Sequence, residues 1–141
     1  MSNPWTNPDR LPAEAVQSLA QFINARADIP DQSAAHVALI EALAPHPGER
    51  LLDFGCGTGV IARRLAPLVG ETGEVVGVDI SAAMLAFARS SGGPAYLRYE
   101  QSDGATIPFP SDSFDGGAMA RTLLHVEHPH ETLVELCREV R

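Results

Sequence analysis

The chain is poor in cysteine: Cys56 and Cys137 are the only two in 141 residues. Two cysteines cannot build a disulfide scaffold, and with the five histidines they fit no zinc-ligand spacing. No metal is expected, and a reducing, cytoplasmic setting is the natural one. Basic residues are scarce too. Lys and Arg number 10 against 18 Asp and Glu, a net charge of −8. So acidic a surface repels phosphate backbones, which argues against nucleic-acid partners, and it mildly attracts cationic small molecules. No apolar run approaches the ~20 residues of a membrane span. The best, Val37-Ala38-Leu39-Ile40, stops at Glu41. The stretch Met1 to Pro8 has no basic region followed by an apolar one, so it does not read as a secretion signal. Internal repeats and low-complexity segments are also missing.

What is present is one domain's worth of core-forming sequence, with 45% hydrophobic and 20% charged residues. From Pro12 to Ala27 apolar residues recur at helical spacing (Ala15, Val16, Leu19, Ala20, Phe22, Ile23). After a break at Asp28-Ile29-Pro30, Asp31 or Ser33 is expected to cap a second helix ending at Ala44, with Val37, Ile40 and Leu43 on its buried side. Strands are expected at Leu51 to Phe54, Glu74 to Ile80, Tyr96 to Gln101 and, weakened by Gly116 and Gly117, Phe114 to Ala120. Helices fit between them: Val60 to Val69 closed by Gly70, and Ala82 to Arg89 capped by Ser81. A last helix opens at Pro129, with Leu133, Leu136, Cys137 and Val140 on one stripe and Glu131, Glu135 and Arg138 on a solvated face. The alternation predicts an α/β, Rossmann-like, doubly wound parallel sheet of about four strands, preceded by two helices. Its ligand should lie at the carboxyl ends of the strands, where strand order reverses. The expected domains are a helical extension over 1–30 and a cofactor-binding unit over 31–141. The last expected strand is an unpaired edge, and the chain is expected to stop inside a helix. The 141 residues are therefore read as the first part of a longer domain, or as one that a second copy completes at that edge.

The chemistry lies between Leu51 and Ser81. A turn rich in glycine, Gly55-Cys56-Gly57-Thr58-Gly59, joins a strand to a helix, so a ligand can approach the backbone closely. The helix N-terminus offers unpaired N–H donors. Asp79, at the tip of the next strand, stands 20 positions after Gly59, the spacing from which an acid accepts both hydroxyls of a ribose. Three features disfavour a pyrophosphate ligand. Position 60 is Val where the dinucleotide pattern wants glycine, no Lys-Ser or Lys-Thr follows the loop, and Asp53 aims a carboxylate into the same cavity. That carboxylate would welcome an ammonium group. A ligand with a ribose at one end, an amino acid at the other and positive charge between is S-adenosylmethionine.

Leu51-Leu52-Asp53-Phe54-Gly55-Cys56-Gly57-Thr58-Gly59 resembles the first motif of the class I S-adenosylmethionine-dependent methyltransferases. Val76-Gly77-Val78-Asp79-Ile80-Ser81, followed by Met84 and Leu85, is similar to the second. Ser102-Asp103-Gly104-Ala105 with Ile107-Pro108-Phe109 is similar to the third, and Ser113-Phe114-Asp115 to the opening of the fourth. The order and spacing match from roughly Asp31 to Arg141, and the nearest flavour is that of enzymes acting on small molecules of quinone and polyketide pathways. The resemblance implies roles. Gly55, Gly57 and the backbone beside them, including Cys56, would contact the methionine part, and Asp53 would hold its ammonium. Asp79 would grip the ribose, Ile80 would flank the adenine beside Met84, and Asp103 would accept from the adenine amine near the Gly104 N–H. The backbone at Arg121 would close over the sulfonium. The departure is the fourth strand, Gly116-Gly117-Ala118, where the family carries bulky β-branched residues.

Methyl transfer from a sulfonium asks the protein chiefly to position and desolvate. A general base is needed only where the acceptor must lose a proton, and His125 is placed best for it. Local alternatives stay open: Asp103 as the cap of its own turn, Cys56 as a small filler, His36 and His46 as surface or packing residues, and Trp5 either on the first helix or over the acceptor site. The expected function is methyl transfer to a small-molecule acceptor. The alternative is a non-catalytic module that only holds the cofactor.

Overall fold

A computed structural model of the chain describes residues 3, 5–103 and 105–141. Four parallel strands form one sheet: β1 (Arg50–Phe54), β2 (Glu74–Asp79), β3 (Leu97–Gln101) and β4 (Gly116–Ala118), in the spatial order β3-β2-β1-β4. Five helices surround it: α1 (Ala13–Arg26), α2 (Pro30–Leu43), α3 (Val60–Val69), α4 (Ala82–Ser90) and α5 (Pro129–Glu139). Strand order reverses between β1 and β4, so a crevice opens at the carboxyl end of β1.

Alternation along the strands builds two cores. Leu51 and Val75 point to one face and pack with Ile61 and Leu65 of α3, Leu85 of α4, and Leu39, Ile40 and Leu43 of α2. Leu52, Phe54, Val76 and Val78 point to the other and meet Ile107, Phe114 and Leu136. A third cluster, Val16, Ala20 and Met84, seats α1 against α4. Ser81 caps α4 as its sequence predicts, its hydroxyl accepting from Met84 N–H at 3.1 Å. At the amino-terminal end of the sheet Glu74 joins Arg50 (2.5 Å) and Arg98 (2.6 Å), a cross-strand charge cluster.

Several expectations are corrected. Ile29, not Asp31 or Ser33, occupies the cap position of α2, because Pro30 fits the first turn, where no N–H is needed. Val37 is 49% exposed. The inward stripe of α2 is Gln32, His36, Leu39, Ile40 and Leu43, which share one side of the helix through i+3 and i+4 pairs such as 32/36, 36/39, 36/40 and 39/43. Its first half faces a cavity rather than a core, so polar residues sit where an apolar one was expected. On α5, Leu133 is 43% exposed and Cys137 is exposed, while Thr132 and Glu139 are buried. Glu135 and Arg138 are not a solvated face: Glu135 accepts from Ile107 N–H (2.8 Å) and from Arg138 (2.6 Å). The helix ends at Glu139, and Val140 turns extended to make a parallel bridge with Phe114.

The glycines of β4 have a packing reason. The strand pairs in a defined register, Leu51 with Gly116 and Asp53 with Ala118. A Cβ on Gly116 would lie 2.9 Å from Leu43 Cδ1 and 3.2 Å from Leu51 Cδ2. The bare backbone lets α2 press onto the sheet. Gly116→Val should therefore cost about 1–3 kcal/mol of stability, read as a lower urea midpoint. Leu43→Ala introduced alongside should recover part of that loss, because the two positions share one space.

Candidate active site

The carboxyl ends of the strands enclose a cavity of about 730 Å³. Asp53, Gly55, Cys56, Gly57, Asp79, Ile80, Met84, Asp103, Arg121 and His125 all line it. Gly104 lies outside the described residues.

The floor is the bend after β1. Gly55 and Cys56 N–H both donate to Val78 O, at 2.8 and 2.9 Å, which lashes the bend to β2. Gly57 N–H donates to Asp79 Oδ2 at 2.8 Å, and Ser81 N–H to Asp79 Oδ1 at 2.9 Å. Each carboxylate oxygen keeps a further lone pair for a ligand. Asp53 is 2% exposed and accepts from Ala62 N–H, in the first turn of α3, at 3.0 Å. Burial raises its carboxyl pKa to about 7; the Ala62 N–H opposes that shift, and the charge of Asp79 adds to it. Burial likewise raises Asp79, with Asp9 adding to the effect. Cys56 is a filler with a thiol held far up by burial and by both acids. Met84 divides itself between the cavity and the α1–α4 cluster. Asp103 does cap its own turn, accepting from Ala105 and Thr106 N–H at 3.0 and 3.3 Å, while also lining the cavity.

The roof comes from two distant segments. After β4, Arg121 takes a left-handed backbone, φ 61°, unusual for a residue with a side chain. It sets Thr122 against the glycine bend, where the hydroxyl donates to Phe54 O at 3.2 Å. A Cβ on Gly55 would fall on the Thr122 side chain, so this contact and φ +69° both demand glycine. The ring of His125 stacks on Trp5 at 5.5 Å between centroids, 24° from parallel. Burial and the charge of Arg121 lower its pKa, so the imidazole is neutral at pH 7. Trp5 is held by the chain that follows it. Asp9 accepts from Ala82 N–H (2.7 Å), Ala83 N–H (3.2 Å) and the Ser81 hydroxyl (2.5 Å), clamping 8–10 onto the start of α4 beside Asp79.

The methyltransferase-domain family model matches residues 52–141 of this chain, and the protein-L-isoaspartate(D-aspartate) O-methyltransferase model matches residues 7–96. The chain belongs to the class I S-adenosylmethionine-dependent methyltransferase family. It is 36% identical over 106 residues to the ubiquinone/menaquinone biosynthesis C-methyltransferase UbiE of Ectopseudomonas mendocina, covering 72% of this chain and 41% of that protein. It is 37% identical over 99 residues to the 2-phytyl-1,4-naphtoquinone methyltransferase of a Synechocystis species, covering 67% and 42%. The chain thus spans about two fifths of the length of these curated relatives. Its fold matches the crystal structure of an S-adenosylmethionine-dependent methyltransferase from Aquifex aeolicus, with a TM-score of 0.76, 24% identity and coverage of 94% and 69%.

The site of this methyltransferase domain fits the family's cofactor on its own geometry. A Cβ built on Gly57 meets no atom within 4 Å, so the loop faces open space. Asp53 and Asp79 are both held towards their neutral forms by burial, and among the described residues no salt bridge reaches either carboxylate, which suits a sulfonium and an ammonium. The sequence carried no sign of Asp9, Thr122 or Gln32 in this site. Each joins it across tens of residues, and none sits in a periodic or turn pattern that names its partner.

Asp53 has a linked stability effect. Its folded pKa, about 7, lies above the ordinary 3.8 of an aspartate, so ionisation disfavours the folded state. Stability of the ligand-free domain should fall as pH rises from about 4 towards 7 and level off above it. Asp53→Asn should abolish most of that fall, leaving the variant more stable than the parent near pH 8 and poorer at binding S-adenosylmethionine. Urea midpoints measured across this pH range, with and without the cofactor, give both outcomes.

Proposed function

We propose that this domain binds S-adenosylmethionine and directs methyl transfer to a small-molecule acceptor of the quinone type. The observation that carries the reading is the pair of carboxylates, Asp53 buried and Asp79 half-buried, flanking a glycine bend that opens onto one cavity. The names of the two relatives, both quinone methyltransferases, and the aromatic surface of Trp5 and Phe22 on the rim favour a ring-shaped acceptor.

In this reading Asp53 holds the ammonium and Asp79 the ribose hydroxyls. The bend Gly55-Cys56-Gly57 lies along the methionine part, Ile80 and Met84 flank the adenine, and Asp103 accepts from its amine. Arg121 supplies backbone above the sulfonium. The cofactor brings a methyl group already activated on sulfur. The chain's share is to place the acceptor and keep water out. Trp5, clamped through Asp9, and the segment after β4 cover the site. His125 is neutral and able to take a proton from an acceptor hydroxyl at a ring nitrogen. The cofactor unit is residues 31–141, with 1–30 as a helical extension whose α1 packs against α4. Among the described residues no helix is long and apolar enough to cross a membrane. The two free cysteines agree with a cytoplasmic home.

Calorimetry with S-adenosylmethionine tests the reading directly. Asp79→Ala should lose about 2 kcal/mol of affinity, roughly thirtyfold, because charged hydrogen bonds go unmade. Unchanged affinity would remove the ribose assignment. Formation of S-adenosylhomocysteine with reduced quinones or phenols supports catalysis. Binding without turnover by any of them supports the cofactor-holding module instead.

A further inference from the structure

The inward stripe of α2 carries two polar residues into the cavity. Gln32 and His36 lie one turn apart on one side of the helix, and both line it. Arg121 Nη1 donates to Gln32 Oε1 at 3.0 Å, which ties the segment after β4 to this helix. Behind His36 stands Arg64 of α3. Its Nη1 is 3.0 Å from His36 Nδ1, while Nη2 donates to Ala27 O at 3.2 Å and lies 3.5 Å from Asp28 Oδ1. A guanidinium has donors only. Nδ1 must therefore accept, and a neutral ring that accepts at Nδ1 carries its proton at Nε2. Burial, then the charges of Arg64 and Arg121, lower the pKa of His36 and so keep the ring neutral. Nε2 has no bonding partner among the described residues. His36 is thus locked as a donor. It cannot serve as a base, since its one lone pair already holds Arg64.

Guanidinium groups share the cavity lining with this N–H in a chain whose net charge is −8, alongside the carboxylates Glu127 and Glu131. Arg121 stands on one side, and Arg26, folded over Phe22 at 5.4 Å from the ring centroid, lies further along the rim. An acceptor that offers an oxygen lone pair or a phenolate is matched by such a set. An amine would bring N–H donors, or a positive charge, against donors and positive charge.

We propose that His36 is a specificity-determining hydrogen-bond donor of the acceptor subsite, set in its Nε2–H form by Arg64, and that with Arg121 it selects acceptors presenting a carbonyl or phenolate oxygen. This rests on the methyltransferase reading given above. The test uses the full chain with saturating S-adenosylhomocysteine and 4-nitrophenol as the probe, whose phenolate absorbs visibly. The parent should bind the probe and raise its ionised fraction. His36→Ala should bind it about tenfold more weakly, the effect of one hydrogen bond to a charged oxygen. His36→Gln, which restores an N–H, should recover most of the loss, and His36→Glu, which offers no donor when ionised, should recover none. S-adenosylhomocysteine affinity, measured by calorimetry, should stay within about twofold of the parent in all three, since His36 lies on the acceptor side. The proposal is overturned if the parent binds S-adenosylhomocysteine but not the probe, if His36→Ala binds the probe as well as the parent does, or if Glu rescues as fully as Gln. A parent that fails to bind S-adenosylhomocysteine overturns the methyltransferase reading itself, and this proposal with it.

Discussion

Asp53 and Asp79 stand on neighbouring strands, Asp53 buried and Asp79 half-buried, and the charge of Asp79 makes Asp53 harder to ionise. Burial keeps water from Asp53 and limits it at Asp79, and their protein partners are backbone N–H groups of the bend, α3 and the start of α4. Those bonds explain the shape of the site. They fix where the bend runs, where α3 and α4 begin, and which way the cavity opens. They leave charge uncompensated, and a cationic ligand is what compensates it. A ligand-free fold that is held back by its own acids stores part of its stability for the moment of binding.

The remaining parts of the site answer to that floor. The strained backbone at Arg121 brings Thr122 down onto Gly55, so the segment after β4 cannot shift without disturbing the bend. Asp9 takes up free N–H groups at the start of α4, three residues beyond Asp79, and thereby brings Trp5 over His125. Asp53 and Asp79 lie in the cavity floor, and guanidinium groups line the same cavity. A single cavity thus brings the two floor acids together with Arg26 and Arg121, and with Glu127 and Glu131 of the segment that follows β4.

Much of this was legible in the chain. Glycines at 55, 57 and 59 between an apolar run and a helical pattern, with an acid at 79, place the ligand end of the sheet, because turn chemistry and strand-tip position are local properties. Ser81 as a cap and Gly70 as a stop are local too. Stripes on peripheral helices are less legible. The apolar character of Val37, Leu133 and Cys137 suggests an inward face, yet α2 faces a cavity in its first half and α5 turns Thr132 and Glu139 inward. Helical period names a set of possible faces, and the neighbour chooses among them.

Sequence alone determined the parallel α/β order, the glycine bend and the two acids, since strand period, turn residues and strand-tip spacing act over a few residues. Tertiary structure decided what those parts meet. It closed Asp9 onto Ala82 across 73 positions, Arg121 onto Gln32 across 89 and Arg64 onto His36 across 28. Such contacts depend on how helices dock against the sheet, and docking follows from packed shape, which no local pattern of residue types encodes.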